Sequence, residues 1–162
     1  DAMVAEGTPF TGVLYGGLMK TPQGIKVIEF NARFGDPETE VVLPRLKSDA
    51  IDVFMAVAKS DEPTAEWSEG ATLGIVLASK GYPGSYDKGA VIRGTECVES
   101  KIYHMGTAMK DGELVTAGGR VMIVVAEAAT LREAQQKAEA DVARIECDNL
   151  FHRTDIGAKA IK

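Results

Sequence analysis

The sequence predicts an α+β fold in two parts, residues 1–62 and residues 63–162. Three observations predict it. Two apolar runs flank Lys20-Thr21-Pro22-Gln23-Gly24, the pattern of an antiparallel hairpin. Ile51, Phe54, Met55 and Ala58 recur at i, i+3, i+4 and i+7, which is one face of a helix. From Ala71 the texture changes to short apolar runs punctuated by turn dipeptides, with one long amphipathic segment near the end.

In chain order, Pro9 to Met19 reads as a strand, and Ile25 to Phe30 as its returning partner. Pro22 pre-sets φ for the turn and Gly24 relaxes it. Asp36-Pro37 reads as a helix start, with Asp36 as N-cap and Pro37 in the first helical position. Glu38 and Glu40 then sit near the positive end of the helix dipole, and Pro44 ends or kinks the helix. Ser48 opens a second helix, and Asp61-Glu62-Pro63-Thr64 breaks it. The polar, turn-rich stretch up to Gly70, Trp67 excepted, marks the boundary between the two parts.

In the second part, Thr72 to Ser79, Ala90 to Ile92, Lys101 to Met109, Leu114 to Thr116 and Arg120 to Ala126 read as strands. Asp111-Gly112 is a hairpin turn signal, and Gly118-Gly119 turns the chain again. Thr130-Leu131-Arg132-Glu133 fits a capping box. The helix it opens carries Leu131, Ala134, Ala138, Val142 and Ile145 on one stripe. The expected second part is therefore an antiparallel sheet with one main helix over a face.

The net charge of −6 argues against nucleic acid or an anionic membrane as the main partner. No apolar run approaches the roughly 20 residues that span a bilayer. The first residues, Asp1 to Gly7, lack a basic segment leading into an apolar core, so no signal peptide is expected. The absence of an initiator methionine suggests a piece of a longer polypeptide. The two cysteines, Cys97 and Cys147, have no metal-type spacing and read as reduced thiols of a cytoplasmic protein.

The chemistry concentrates in residues 28–38. Glu29 and Asn31 stand two apart at the end of an apolar run, so a strand projects both the same way. A carboxylate and an amide oxygen together suit Mg²⁺, which keeps waters and takes one or two protein oxygens alongside substrate phosphates. The alternative is that both are simply solvated. Arg33 offers a planar fork for a phosphate or carboxylate, or else pairs with Asp36 or Glu38. Gly35 offers unhindered backbone N–H groups for an anion, or serves only the turn. Asp36 is a substrate contact or a cap. The loops Ser79-Lys80-Gly81-Tyr82-Pro83-Gly84 and Gly118-Gly119-Arg120 read first as turns, without the spacing of a P-loop. His104 and His152 read as structural.

Together these segments resemble the C-terminal part of the phosphoribosylamine–glycine ligases, also called glycinamide ribonucleotide synthetases, of the ATP-grasp superfamily. The matching stretches are Pro9 to Tyr15, Glu29-Phe30-Asn31, Arg33 to Thr39, Leu43-Pro44 and Leu46 to Asp49. They continue with Ser79 to Gly84, Gly106-Thr107-Ala108, Gly118 to Val121, and Arg153 with Asp155-Ile156-Gly157. The resemblance implies that residues 1–62 end an ATP-grasp domain (a hairpin plus helices) and that residues 63–162 form a small C-terminal α+β domain. It implies an ATP-dependent ligase of purine biosynthesis that joins glycine to 5-phosphoribosylamine through glycyl phosphate. Glu29 and Asn31 would hold Mg²⁺ or Mn²⁺ against ATP, Arg33 would be catalytic, and Gly35 and Asp36 would lie at substrate.

Many ATP-grasp enzymes carry another acidic ligand on the preceding strand, but here that strand reads Leu14-Tyr15-Gly16-Gly17-Leu18-Met19. The lobe that covers ATP is not in this sequence, so these residues alone are expected to be inactive and to need the N-terminal part of the same polypeptide. The competing expectations are an ATP-grasp ligase for another acid and amine, or a non-catalytic folding or interaction domain.

Overall fold

The computed structural model describes residues 2–161. The chain divides into two compact units, with a crossing between them inside the motif region. The first holds the segment ending at Thr39 together with Arg45–Ser68, and the second holds Glu40–Pro44 together with the segment from Glu69 onward.

The first unit opens with a helical turn, α1 (Ala2–Ala5), ahead of the strand expected from Pro9. The hairpin follows as β1 (Tyr15–Thr21) and β2 (Gly24–Asn31). The strand predicted from Pro9 starts only at Tyr15, because a ladder needs a partner and β2 ends opposite Tyr15, at Asn31. The turn is Pro22-Gln23, closed by Gly24 at φ 99°. Every β2 residue except Asn31 is exposed, including Ile25, Val27, Ile28 and Phe30. A lone two-stranded ribbon has no third layer in which to bury either face.

Helix α2 (Glu38–Val42) begins one residue later than predicted, so Asp36 and Pro37 form the turn before it, joined by a cis peptide. The Thr39 N–H and hydroxyl both bond the Gly35 carbonyl and start the helix there. At Pro44 the helix gives way to a 3₁₀ turn, Leu43–Arg45, as the missing proline N–H requires. Helix α3 (Ala50–Ala58) is capped by Asp49, not opened by Ser48: the Asp49 carboxylate accepts from the Ile51 and Asp52 N–H groups. Ser48 instead accepts from the Glu66 N–H. Its predicted apolar stripe, Ile51, Phe54, Met55 and Ala58, is exposed, while Val53, Ala56 and Val57 are half-buried. Amphipathic spacing fixes which residues share a face, and the surrounding layers decide whether that face is covered. Leu46 and Trp67 bridge across the intervening loop, and the Arg45 guanidinium donates to the Ser68 carbonyl.

The second unit is built on a four-stranded antiparallel sheet. Its strands are β3 (Ala71–Ser79), β4 (Lys101–His104), β7 (Arg120–Ala128) and β8 (Leu150–Phe151), in the order β4-β7-β3-β8. A separate hairpin joins β5 (Thr107–Lys110) to β6 (Glu113–Thr116). Its turn is Asp111-Gly112, with both residues at positive φ, 51° and 82°, the geometry that matches strand twist. The strand predicted over Lys101 to Met109 is thus two strands. The chain bends at Gly106, which lies against the Gly118 backbone where a side chain would not fit. Ala90 to Ile92 forms an isolated bridge at Val91, although hydrogen bonds from Gly89, Thr116 and Ile92 run it alongside β6.

Helix α4 (Leu131–Val142) starts in the expected capping box, with Thr130 and Glu133 each bonded to the other's backbone N–H. Ala134, Ala138 and Val142 are buried against Leu73, Ile75, Leu77 and Val124 of the sheet. Small side chains on α4 let it approach the larger residues of β3 and β7 closely.

Asp141, on the same helix, is only 2% exposed. It accepts from the Glu99 and Ser100 N–H groups at 3.2 and 2.9 Å and from Arg144 at 2.9 Å, tying α4 to the chain ahead of β4. Burial opposes its ionisation, but hydrogen bonds from Ser100 and Glu99 and the charge of Arg144 outweigh it and hold the carboxyl below its ordinary value. Replacing Asp141 with Ala leaves these donors unpaired and is expected to cost about 3 kcal/mol in urea unfolding. Because the folded value is depressed, the contribution is complete above the unfolded value of about 3.9 and is lost as pH falls through the folded one. The gap in stability between the unaltered chain and Asp141→Asn should therefore narrow in acid. A gap independent of pH counts against this account.

Among the described residues, no helix is long and apolar enough to cross a membrane.

Candidate functional site

The hairpin places Glu29 and Asn31 opposite Gly17 and Tyr15. A β-bulge lies beside them: Gly17 pairs with Glu29 while Leu18 pairs with Val27, leaving Ile28 unpaired. Bulges re-aim neighbouring side chains. Counting back from the turn without the bulge would set Leu14 opposite Asn31; with it, Tyr15 takes that place. Beyond the bulge, Glu29 and Asn31 keep normal alternation and share one face. Gly17 makes room for Glu29, since a Cβ there would stand 3.1 Å from the Glu29 Cγ.

Among the described residues, neither side chain forms a hydrogen bond or an ion pair. Glu29 is exposed and Asn31 half-buried, so both oxygens are available. Arg33 is exposed, and among the described residues it forms no ion pair with Glu38. Among the described residues its guanidinium donates only to the Phe34 carbonyl, at 2.8 Å, which leaves further donors for an anion. Gly35 is buried, and its backbone is crowded by Glu38, whose carboxylate would collide with any side chain there. The turn role of Gly35 is therefore a matter of close approach rather than of φ. Asp36 is exposed in the turn ahead of α2.

Two residues that sequence reasoning passed over join this set. Partial burial comes first in raising the Tyr15 phenol above its ordinary value, followed by a hydrogen bond to Glu38 and the charges of Glu38 and Glu29. Both carboxylates therefore oppose ionisation of Tyr15. Its place opposite Asn31 depends on the bulge, which no residue pattern announces. Glu38 had been read as a helix-dipole charge and as an alternative partner for Arg33.

No group of three or more His, Cys, Asp or Glu side chains suited to a metal exists among the described residues. One carboxylate and one amide oxygen, both unengaged, fit a Mg²⁺ that completes its shell with water and phosphate. The two loops of the second unit bind each other instead. The Ser79 hydroxyl donates to the Gly118 carbonyl and its N–H to the Gly119 carbonyl, both at 2.8 Å. His104 meets Thr107 and His152 meets Glu139, consistent with structural roles. Both cysteines are free thiols.

The family model described as phosphoribosylglycinamide synthetase, C domain, matches residues 72–159. The chain belongs to the phosphoribosylglycinamide synthetase family. The ATP-grasp (A) domain model of the same family matches residues 1–39, which include Glu29, Asn31, Arg33 and Gly35. A phosphoribosylamine–glycine ligase of Halalkalibacterium halodurans is 55% identical over 162 residues, covering 99% of this chain and 38% of that protein. One from Escherichia coli is 49% identical over 167 residues, covering 99% and 39%. The crystal structure of a phosphoribosylamine–glycine ligase from Thermotoga maritima superposes with a TM-score of 0.84 at 34% identity, covering 95% of this chain and 39% of that one. The chain thus spans about two fifths of the length of these synthetase relatives. The α+β class expected from the sequence, an ATP-grasp segment followed by a synthetase C domain, is the one found.

Proposed function

We propose that this chain is the C-terminal part of an ATP-dependent ligase that joins glycine to 5-phosphoribosylamine, giving glycinamide ribonucleotide, ADP and phosphate in purine biosynthesis. One observation carries the site: Glu29 and Asn31 share a face at the end of β2, without a hydrogen bond or ion pair among the described residues, two residues from the Arg33 guanidinium. Residues 1–62 serve as the end of the ATP-grasp domain and residues 63–162 as the C-terminal domain. The exposed apolar side chains of β1, β2 and α3 support the N-terminal part of the same polypeptide as their covering partner. The reaction belongs in the cytoplasm, where ATP and the unstable amine are at hand.

The glycine carboxylate attacks the γ-phosphorus of ATP, forming one P–O bond as the bond to ADP breaks. The amine nitrogen of phosphoribosylamine then bonds the acyl carbon of glycyl phosphate, phosphate leaves, and the nitrogen loses a proton. Both stages ask for positioning and charge neutralisation more than for covalent help. Glu29 and Asn31 hold Mg²⁺, or Mn²⁺, which when bound neutralises the ATP phosphates. Arg33 places its fork against the transferred phosphoryl group, and its geometry suits two phosphate oxygens at once. Gly35 and Asp36 border the substrate.

Two measurements test the reading. In a full-length ligase that contains this segment, ADP release should require both glycine and phosphoribosylamine; release with another acid and amine at equal rate overturns the substrate assignment. This chain alone should release no ADP above background, since it carries the floor of a nucleotide site without the opposing lobe. Glycine-dependent turnover by the isolated chain refutes that expectation.

A further inference from the structure

The second unit contains a cavity of about 210 Å³ between α4 and the segment that follows it, opening to solvent. Leu77, Ile145 and Leu150 form its apolar lining, and Glu139, His152 and Cys147 contribute its polar atoms. Its walls are pinned by backbone pairing. Phe151 and Leu150 pair with Ala78 and Ser79 of β3. Arg93 and Glu146 exchange both of their N–H···O bonds at 3.0 Å, and the Leu150 N–H donates to the Cys147 carbonyl. The cavity is therefore formed in advance of any ligand, which removes much of the ordering cost of binding.

Glu139 brings a carboxylate to the mouth, beside the His152 imidazole. The Glu139 carboxylate meets the His152 Nε2 at 3.2 Å, and among the described residues no Lys or Arg forms an ion pair with it. An apolar cavity of about 150 Å³ is enough to hold benzene. This one has room for a six-membered ring and a short polar substituent, with a carboxylate at its edge.

We propose that this cavity binds a compact organic ammonium ion, its ring against Leu77, Ile145 and Leu150 and its charged nitrogen donating to Glu139. The apolar lining selects for the ring, and the carboxylate selects for the cation through charge-assisted hydrogen bonds. A ligand of this size binds with a Kd on the order of 1 mM. The site lies wholly within the second unit and is independent of the nucleotide chemistry proposed above.

The two free thiols supply the test. Cys147 lines the cavity, and Cys97 is exposed outside its lining. The intact chain is alkylated with iodoacetamide near neutral pH, with benzylamine present or absent, and each cysteine is followed by peptide mass spectrometry. In saturating benzylamine, modification of Cys147 should slow by about fivefold or more while Cys97 is unaffected. Benzyl alcohol, uncharged, and methylamine, ringless, should protect far less. Glu139→Gln should reduce benzylamine protection to the level of the alcohol. Unprotected Cys147, equal slowing at both cysteines, or equal protection by alcohol and amine each overturns the proposal. The amine and alcohol comparison needs no variant, so it stands even if Glu139→Gln disturbs folding.

Discussion

In a full-length ligase containing this segment, Glu29→Ala is expected to reduce glycine-dependent ADP release by about a thousandfold or more at saturating Mg²⁺. The fold should be untouched. Glu29 is exposed, makes no ion pair among the described residues, and leans over Gly17 without filling a packed space. Thermal unfolding should therefore match the parent closely, since surface changes away from caps and networks usually stay within about 0.5 kcal/mol. The charge change at the site is the whole effect. Removing the carboxylate leaves Asn31 as a neutral donor, and a hard divalent ion prefers an anionic oxygen. A near-normal rate at limiting Mg²⁺ refutes the assignment of Glu29 to the metal. A lost rate with lost folding points to a structural role instead.

Ile75→Ala should have the largest effect on the stability of this chain itself. Ile75 is fully buried at the centre of β3, packed in the cluster formed by the sheet and α4. Removing its three outer carbons forfeits their transfer free energy and leaves a cavity that the surrounding sheet cannot collapse around. The expected cost is about 3–4 kcal/mol, seen as a lower urea midpoint with an unchanged slope. Ile51→Ala, the same change at a side chain 72% exposed on α3, should cost no more than about 0.5 kcal/mol in this chain. Equal losses at the two positions would mean that the α3 face is covered in solution.

That pair of isoleucines shows where reading from the sequence stops. Periodicity put Ile51 on one face with Phe54, Met55 and Ala58, and their spacing is indeed that of one face. Whether the face is buried depends on layers that no local pattern encodes. Turn chemistry was more reliable, because it is local. Asp111-Gly112 forms the hairpin turn it predicts, and the Thr130–Glu133 capping box forms as written. The helix starts at Asp36 and Ser48 were each displaced by a residue or two, since several neighbouring side chains compete to satisfy the same free N–H groups.

By itself, the sequence determined the α+β class, the order of turns and the main helix, the motif residues Glu29, Asn31, Arg33 and Gly35, and the family that they resemble. These are properties of adjacent residues, and steric and hydrogen-bonding preferences act at that range. Tertiary structure alone decided that a bulge at Ile28 sets Tyr15 opposite Asn31, that Glu38 crowds Gly35 and reaches Tyr15, and that Asp141 is buried beneath Glu99 and Ser100. All but the approach of Glu38 to Gly35 join segments distant along the chain. Such a contact forms only when the packing of both sides brings it within a few ångströms, and spacing along one strand or helix carries no record of that.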